Sequence, residues 1–138
     1  MIVLDTHIWL WWLNEDYARV QRGWINLIDE SDNVAVSAIS CFEVAWLERH
    51  SRVSLPGDLG DWFEKALGGS DIDLLPITPE IAKIAVDLPE HHTDPQDRLI
   101  MATAISYDAQ LISADKKFRD YKEIAHLLVP TEMANDEP

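Results

Sequence analysis

The chain is poor in several things, and each shortage excludes something. It holds one cysteine, Cys41, in 138 residues, so no disulfide forms within it and a reducing compartment is expected. Basic residues are scarce: 11 Lys and Arg stand against 25 Asp and Glu, for a formal net charge of −14. A protein that coats nucleic acid needs a basic stripe, so that class is disfavoured. Long apolar runs are also missing. The richest, IWLWWL at 8–13, is far short of the roughly 20 residues that cross a bilayer. The start, MIVLDTHIW, has no basic segment and no small-residue cleavage site. No signal peptide is expected there, and the expected location is cytoplasmic. No glycine-rich phosphate loop occurs, which disfavours an NTPase or a dinucleotide fold. No CxxC or HExxH accompanies the adjacent His91 and His92, so they do not read as a zinc site.

What is present reads as one folded domain over 1–138, with 47% hydrophobic residues. The last stretch, PTEMANDEP at 130–138, is polar and acidic and is expected to fray. Short β-rich runs fall at 2–5, 33–38, 72–77, 109–113 and 124–129. Helical segments alternate with them, including THIWLWWLN, a long one from Tyr17 to Glu30, SCFEVAWLERH, LGDWFEKAL, TPEIAKIAVDL and DPQDRLIMATAISYD. Thr78 with Pro79, and Asp94 with Pro95, are each an N-cap followed by proline at the first helical position. Strands alternating with helices pair in parallel through crossovers. The expected fold class is therefore α/β: a three-layer sandwich with a mostly parallel central sheet flanked by helices.

Ligands of such sheets gather outside the carboxyl ends of the strands, and four acids are expected there. Asp5 ends the first strand, Glu43 lies one turn into the helix after the second, Asp97 opens its helix, and Asp115 follows the strand at 109–113. Each has a structural explanation. Asp5 and Asp115 could cap helices, Ser40 and Glu43 could form a capping box, and Asp97 suits a helix macrodipole. Together they point further. Four converging carboxylates repel one another unless a cation sits among them. Hard divalent ions take such oxygen ligands, and a site of this kind hydrolyses phosphodiesters. The acidic total then constrains mechanism more than substrate, because metal ions cancel charge locally.

The segments IVLDTHIWLWWL, VAVSAISCFEVAWL, DPQDRLIMATA and LISADKKF, in that order, resemble the PIN domain, and more closely the VapC-type toxins of bacterial toxin–antitoxin pairs. The resemblance implies a small ribonuclease with a Mg²⁺ or Mn²⁺ site. It implies Asp5, Glu43 and Asp97 as the core acids and Asp115 as a fourth, more variable one. On that resemblance Asp5 and Asp97 would hold the metal, Glu43 would hold a metal-bound water or a second metal and is the candidate general base, Asp115 would complete the shell, and Thr6 and Ser113 would orient ligands or a water. It further implies a homodimer and a cognate antitoxin. The runner-up is a PIN-like nuclease of RNA processing, or one acting on DNA, without an antitoxin. A haloacid-dehalogenase phosphatase is disfavoured because the first strand ends in DTH rather than Asp-x-Asp.

If RNA binds, the candidate phosphate contacts are Arg98, Lys116, Lys117, Arg49 and Arg52. His7 falls near the acids and is open to a substrate contact or a packing role. Six tryptophans are many for this length. Trp9, Trp11 and Trp12 surround the first helix, which calls for burial on more than one face. Trp11 or Trp12, and Trp46, are the candidates for a partner surface. Cys41 reads as a buried structural thiol.

Overall fold

The structure is a computed structural model in which residues 1–131 are described. Four strands form one parallel sheet in the order β3-β2-β1-β4: β1 Ile2–Leu4, β2 Val34–Ser37, β3 Ile72–Leu75 and β4 Gln110–Ile112. The two inner strands, IVL and VAVS, are buried at every position, as a strand covered on both faces must be. The outer strands are only partly buried.

Period-two alternation divides the core into two. Ile2, Leu4, Val34, Val36 and Ile112 face a cluster built with helices α1 (Thr6–Leu13), α2 (Arg22–Glu30) and α4 (Leu59–Ala66). Val3, Ala35 and Leu111 face the other way, toward α6 (Pro95–Tyr107). Helix α5 (Pro79–Asp87) packs on α6 through Ile81, Ala85 and Ala102. Helix α3 (Ala38–Arg49) follows β2 directly and contributes Val44 to the first cluster. This is the expected three-layer sandwich. Among the described residues no helix is long and apolar enough to cross a membrane.

The sheet order fixes where a ligand belongs. The chain leaves β1 toward β2 and β3, then crosses back to β4 on the other side of β1. The direction of winding therefore reverses between β1 and β4, and the crevice beyond their carboxyl ends is the favoured binding place.

Two expectations need correction. The segment at 124–129 does not form a fifth strand. It begins at the end of a 3-10 turn, Lys122–Ile124, and joins the sheet only through a bridge between Leu128 and Leu111. The reason is a period of three. Phe118, Tyr121, Ile124 and Leu127 are all buried, and 3-10 geometry places every third side chain on one face. The long helix expected from Tyr17 is also broken. A 3-10 turn covers Tyr17–Arg19, and Val20 is extended with its side chain buried before α2 begins.

The expected N-caps form. Thr78 accepts from the Ile81 amide, and Asp94 accepts from the Gln96 amide at 2.9 Å. The expected fraying tail lies mostly outside the described residues. Its first residue, Pro130, accepts a hydrogen bond from the Trp24 indole at 2.9 Å.

Candidate active site

Asp5 stands at the end of β1, with its amide bonded to the Ile112 carbonyl at the end of β4. One carboxylate oxygen caps α1 by accepting from the Thr6 amide at 2.6 Å, and the other accepts from the Ser113 hydroxyl at 2.6 Å. The residue is only 7% exposed. Burial raises its pKa from 3.8 to about 6. Glu43 adds to the rise, while the Ser113 bond, His7 and the Thr6 amide oppose it.

Glu43 projects from α3. The capping box with Ser40 does not form, because α3 starts earlier and is capped by Ser37, whose hydroxyl accepts from the Ile39 amide. Glu43 instead accepts from the Thr6 hydroxyl at 2.7 Å, and the Ser40 hydroxyl lies 2.9 Å from that same Thr6 oxygen. Thr6 has one proton to give, and the carboxylate is the stronger acceptor. The Glu43 pKa is raised, chiefly by burial; the Thr6 bond opposes this, while Asp94 and Asp115 add to it.

Asp97 occupies the third position of α6, aimed by the Asp94 cap and Pro95. It is half-buried, and its carboxylate accepts no hydrogen bond among the described residues. Burial, then Asp94, Asp5, Asp115 and Glu43, push its pKa from 3.8 up to about 7. Asp115 caps the 3-10 turn Lys116–Asp120 through the Lys117 amide, and its own amide donates to Ser113 at 3.0 Å. Ser113 thus links Asp5 to Asp115.

These acids share one open cleft of about 410 Å³, lined by Asp5, Glu43, Asp94, Asp97 and Asp115 with His7, Trp11 and Lys117. All four acids singled out in the sequence are there. Asp94 is a fifth: it caps α6 as expected, yet its charge is felt by both Glu43 and Asp97. Its proximity to the cleft is set by the fold of the loop before α6 and had no local signature. Larger pocket volume lies elsewhere, but it has no such concentration of acids.

The donor set is carboxylate oxygen throughout, with Asp97 free of hydrogen bonds among the described residues and three acids held above their ordinary pKa. That chemistry suits a hard divalent cation. Among the described residues, however, no three His, Cys, Asp or Glu side chains stand close enough to share one ion directly. The fit is to an ion that keeps several of its waters, as Mg²⁺ does.

The basic residues separate. Lys117 lines the acidic cleft, Lys116 is exposed beside it in sequence, and Arg49 is exposed at the far end of α3. Arg98 corrects an expectation. It is 8% exposed, and its guanidinium donates to the carbonyls of Val86, Leu88, Pro89 and His92 at 2.6–3.2 Å. It holds the end of α5 and the loop before α6, and both of its terminal nitrogens are already committed to backbone carbonyls. His92 bonds Asp120 at 2.8 Å rather than joining His91 at a metal. Cys41 is half-buried against the first core cluster, and burial raises its thiol pKa. Trp46 is exposed and stacked on His50 with ring centroids 3.9 Å apart; Trp11 and Trp12 are half-buried.

The same architecture recurs in known proteins. The model of the PIN domain family matches residues 2–124. The chain is 35% identical over 122 residues to Ribonuclease VapC22 of Mycobacterium tuberculosis, covering 88% of this chain and 92% of that one. Among solved structures, a toxin–antitoxin complex from Klebsiella pneumoniae superposes with a TM-score of 0.63 at 20% identity, over 94% of this chain and 97% of that one. VapBC2 from Rickettsia felis, bound to a DNA fragment from their promoter, superposes with a TM-score of 0.64 at 18% identity, over 94% and 98%. At those identities the structural likeness speaks for the fold, and the closer sequence match for the lineage. The chain belongs to the PIN domain family, among its VapC-type members.

Proposed function

We propose that the protein is an endoribonuclease toxin of a toxin–antitoxin pair, which hydrolyses RNA phosphodiester bonds with Mg²⁺ or Mn²⁺ held, in part through the ion's own waters, among Asp5, Glu43, Asp97 and Asp115. The observation that carries this is the gathering of acids from four separate segments in one cleft at the winding reversal of the sheet. When bound, the ion supplies neutralisation of phosphate charge and activation of water.

The protein's own groups do the rest. Ser113 and the Thr6 amide fix the orientation of Asp5. Asp97 has no competing hydrogen bond among the described residues, so its oxygens are available to a cation. Glu43 is steadied by Thr6 on one oxygen, and its raised pKa suits it to take the proton of an attacking water as general base. The leaving 3′ oxygen takes its proton from solvent. Lys117, on the cleft wall, offers a positive charge to the phosphate.

VapC-type lineage supports an antitoxin partner, and the net charge of −14 favours a basic segment in it. A homodimer acting in the cytoplasm belongs to the same reading. The test uses purified protein free of any partner, with Mg²⁺ or Mn²⁺ and RNA, beside an Asp97→Asn control. Mapping of RNA ends after brief expression in cells gives the target. Cleavage by the native protein and none by the control is expected. No cleavage of any RNA by the metal-loaded, partner-free protein overturns the proposal.

A further inference from the structure

A second cleft, of about 770 Å³, adjoins the acidic one, and His7 and Trp11 line both. Its other walls include Arg19, Arg52, Asn14 and Asp16. We propose that this cleft is a nucleotide subsite, which takes one unpaired base of the RNA flanking the scissile phosphate against Trp11 and its backbone phosphate on Arg52 and Arg19. This rests on the ribonuclease reading above and extends it to how an acidic enzyme holds a polyanion.

Trp11 differs from most of the tryptophans. The indole N–H groups of Trp9, Trp12, Trp24 and Trp62 donate to Ala66, Asp29, Pro130 and Asn14 respectively. That of Trp11 has no partner among the described residues, although the ring is half-buried. It is instead flanked by the His7 ring, with centroids 5.5 Å apart, and by the Arg19 guanidinium, 5.8 Å from its centroid. An aromatic face beside a guanidinium in a groove is how single-stranded nucleic acid is gripped without regard to sequence.

Arg52 is positioned by the backbone. Helix α3 ends with Ser51 at a positive φ of 56°, the Ser51 amide donating to Glu48 and the Arg52 amide to Leu47. This paired arrangement is a Schellman motif, which gives the chain one defined exit. The Arg52 side chain is exposed and forms no ion pair among the described residues. Arg19 pairs with Asp16 at 3.0 Å, with both side chains exposed, so a phosphate can compete for it. The chain has only 11 basic residues, and here two of them line one cleft with Trp11, whose ring also borders the acids. A cleft of this size accommodates a nucleotide.

The test measures binding and cleavage separately. The probe is a nuclease-resistant phosphorothioate RNA octamer, titrated in Mg²⁺ against tryptophan fluorescence; the substrate is the unmodified octamer. The native protein should show quenching that Trp11→Phe loses. Arg52→Gln, an exposed position whose melting should not change, should raise Kd and KM about tenfold with kcat within about twofold. If Kd and KM are unmoved in both variants, the subsite is wrong, even where the native protein cleaves RNA. It is equally wrong if the cleft takes a basic peptide while octamer binding ignores both substitutions. If the native protein binds the octamer through Trp11 and Arg52 but cleaves nothing, the subsite stands and the ribonuclease reading falls.

Discussion

Asp97 and Arg98 are neighbours in sequence on the first turn of α6, and they look into two regions built on opposite terms. Around Arg98 most groups are matched: a buried guanidinium gives four of its N–H groups to backbone carbonyls of the 86–92 segment. Around Asp97 little is: its carboxylate has no hydrogen bond among the described residues and faces four other acids. A saturated region confers stability and has nothing left to offer a ligand. An unsaturated, like-charged one costs stability and keeps its valences for something from outside. One helix start serves both, which is why a small error in it would damage both.

The sharpest way to break this contrast is Asp97→Asn. It removes a ligand and its charge together, so cleavage should fall at least about 100-fold. Stability should move the other way. With a like charge removed from the metal-free cleft, melting should rise by roughly 2–4 °C, a modest gain because water reaches this half-open site and screens the repulsion. Activity assays and thermal melts on the same sample check the pair. A variant that is both inactive and less stable would show that Asp97 belongs to the scaffold.

Arg98→Ala should produce the reverse pattern. Four backbone carbonyls, one of them buried and three part-buried, lose their donor, at a cost of about 3–5 kcal/mol and a melting drop of about 10 °C. Arg98→Lys should recover little, since an ammonium cannot reproduce the fork. RNA binding by whatever remains folded should fall far less than stability does. Normal melting with weakened RNA binding would make Arg98 a phosphate contact after all.

Much of this is legible in the sequence. Proline after Asp94 and after Thr78 marks two helix starts, because cap and N1 preferences are local. Runs such as IVL and VAVS mark buried strands. The rest depends on non-local chemistry. Arg98 reads as a surface cation until the 86–92 loop folds over it. Glu43 reads as half of a capping box until Thr6, 37 positions away, reaches it. The 118–127 segment is legible in principle: its period of three is there, but its apolar content resembles a strand.

The pH dependence of the metal-free protein sharpens the contrast further. Asp5 and Asp97 titrate at about 6 and about 7 when folded, against 3.8 ordinarily. The folded state therefore holds these protons more tightly than the unfolded chain. Stability from this source is intact below about pH 4 and is lost as pH rises through 6 and 7. Melting should fall by roughly 5 °C across that window. Mg²⁺ should restore most of it at pH 8, where the ligands are ionised, and little at pH 5. Asp97→Asn should flatten the upper part of the curve. A curve that rises from pH 4 to 7 would mean that the acids are already paired with cations of the protein itself.

Asp94→Asn should have the smallest effect, and it is informative for that reason. Asparagine caps a helix about as well as aspartate, so α6 should start in the same place and Asp97 should keep its aim. Only the charge of Asp94 disappears. Asp94 is the largest cause after burial of the high Asp97 pKa and also raises Glu43, so both should ionise at lower pH in the variant. Cleavage near pH 8 should stay within about threefold, while the acid limb of the pH–rate profile moves down. Equal loss of activity in Asp94→Asn and Asp97→Asn would instead make Asp94 a ligand, and the cap only the means of holding it. A limb that does not move would show that Asp94 is screened from the cleft, leaving it a cap alone.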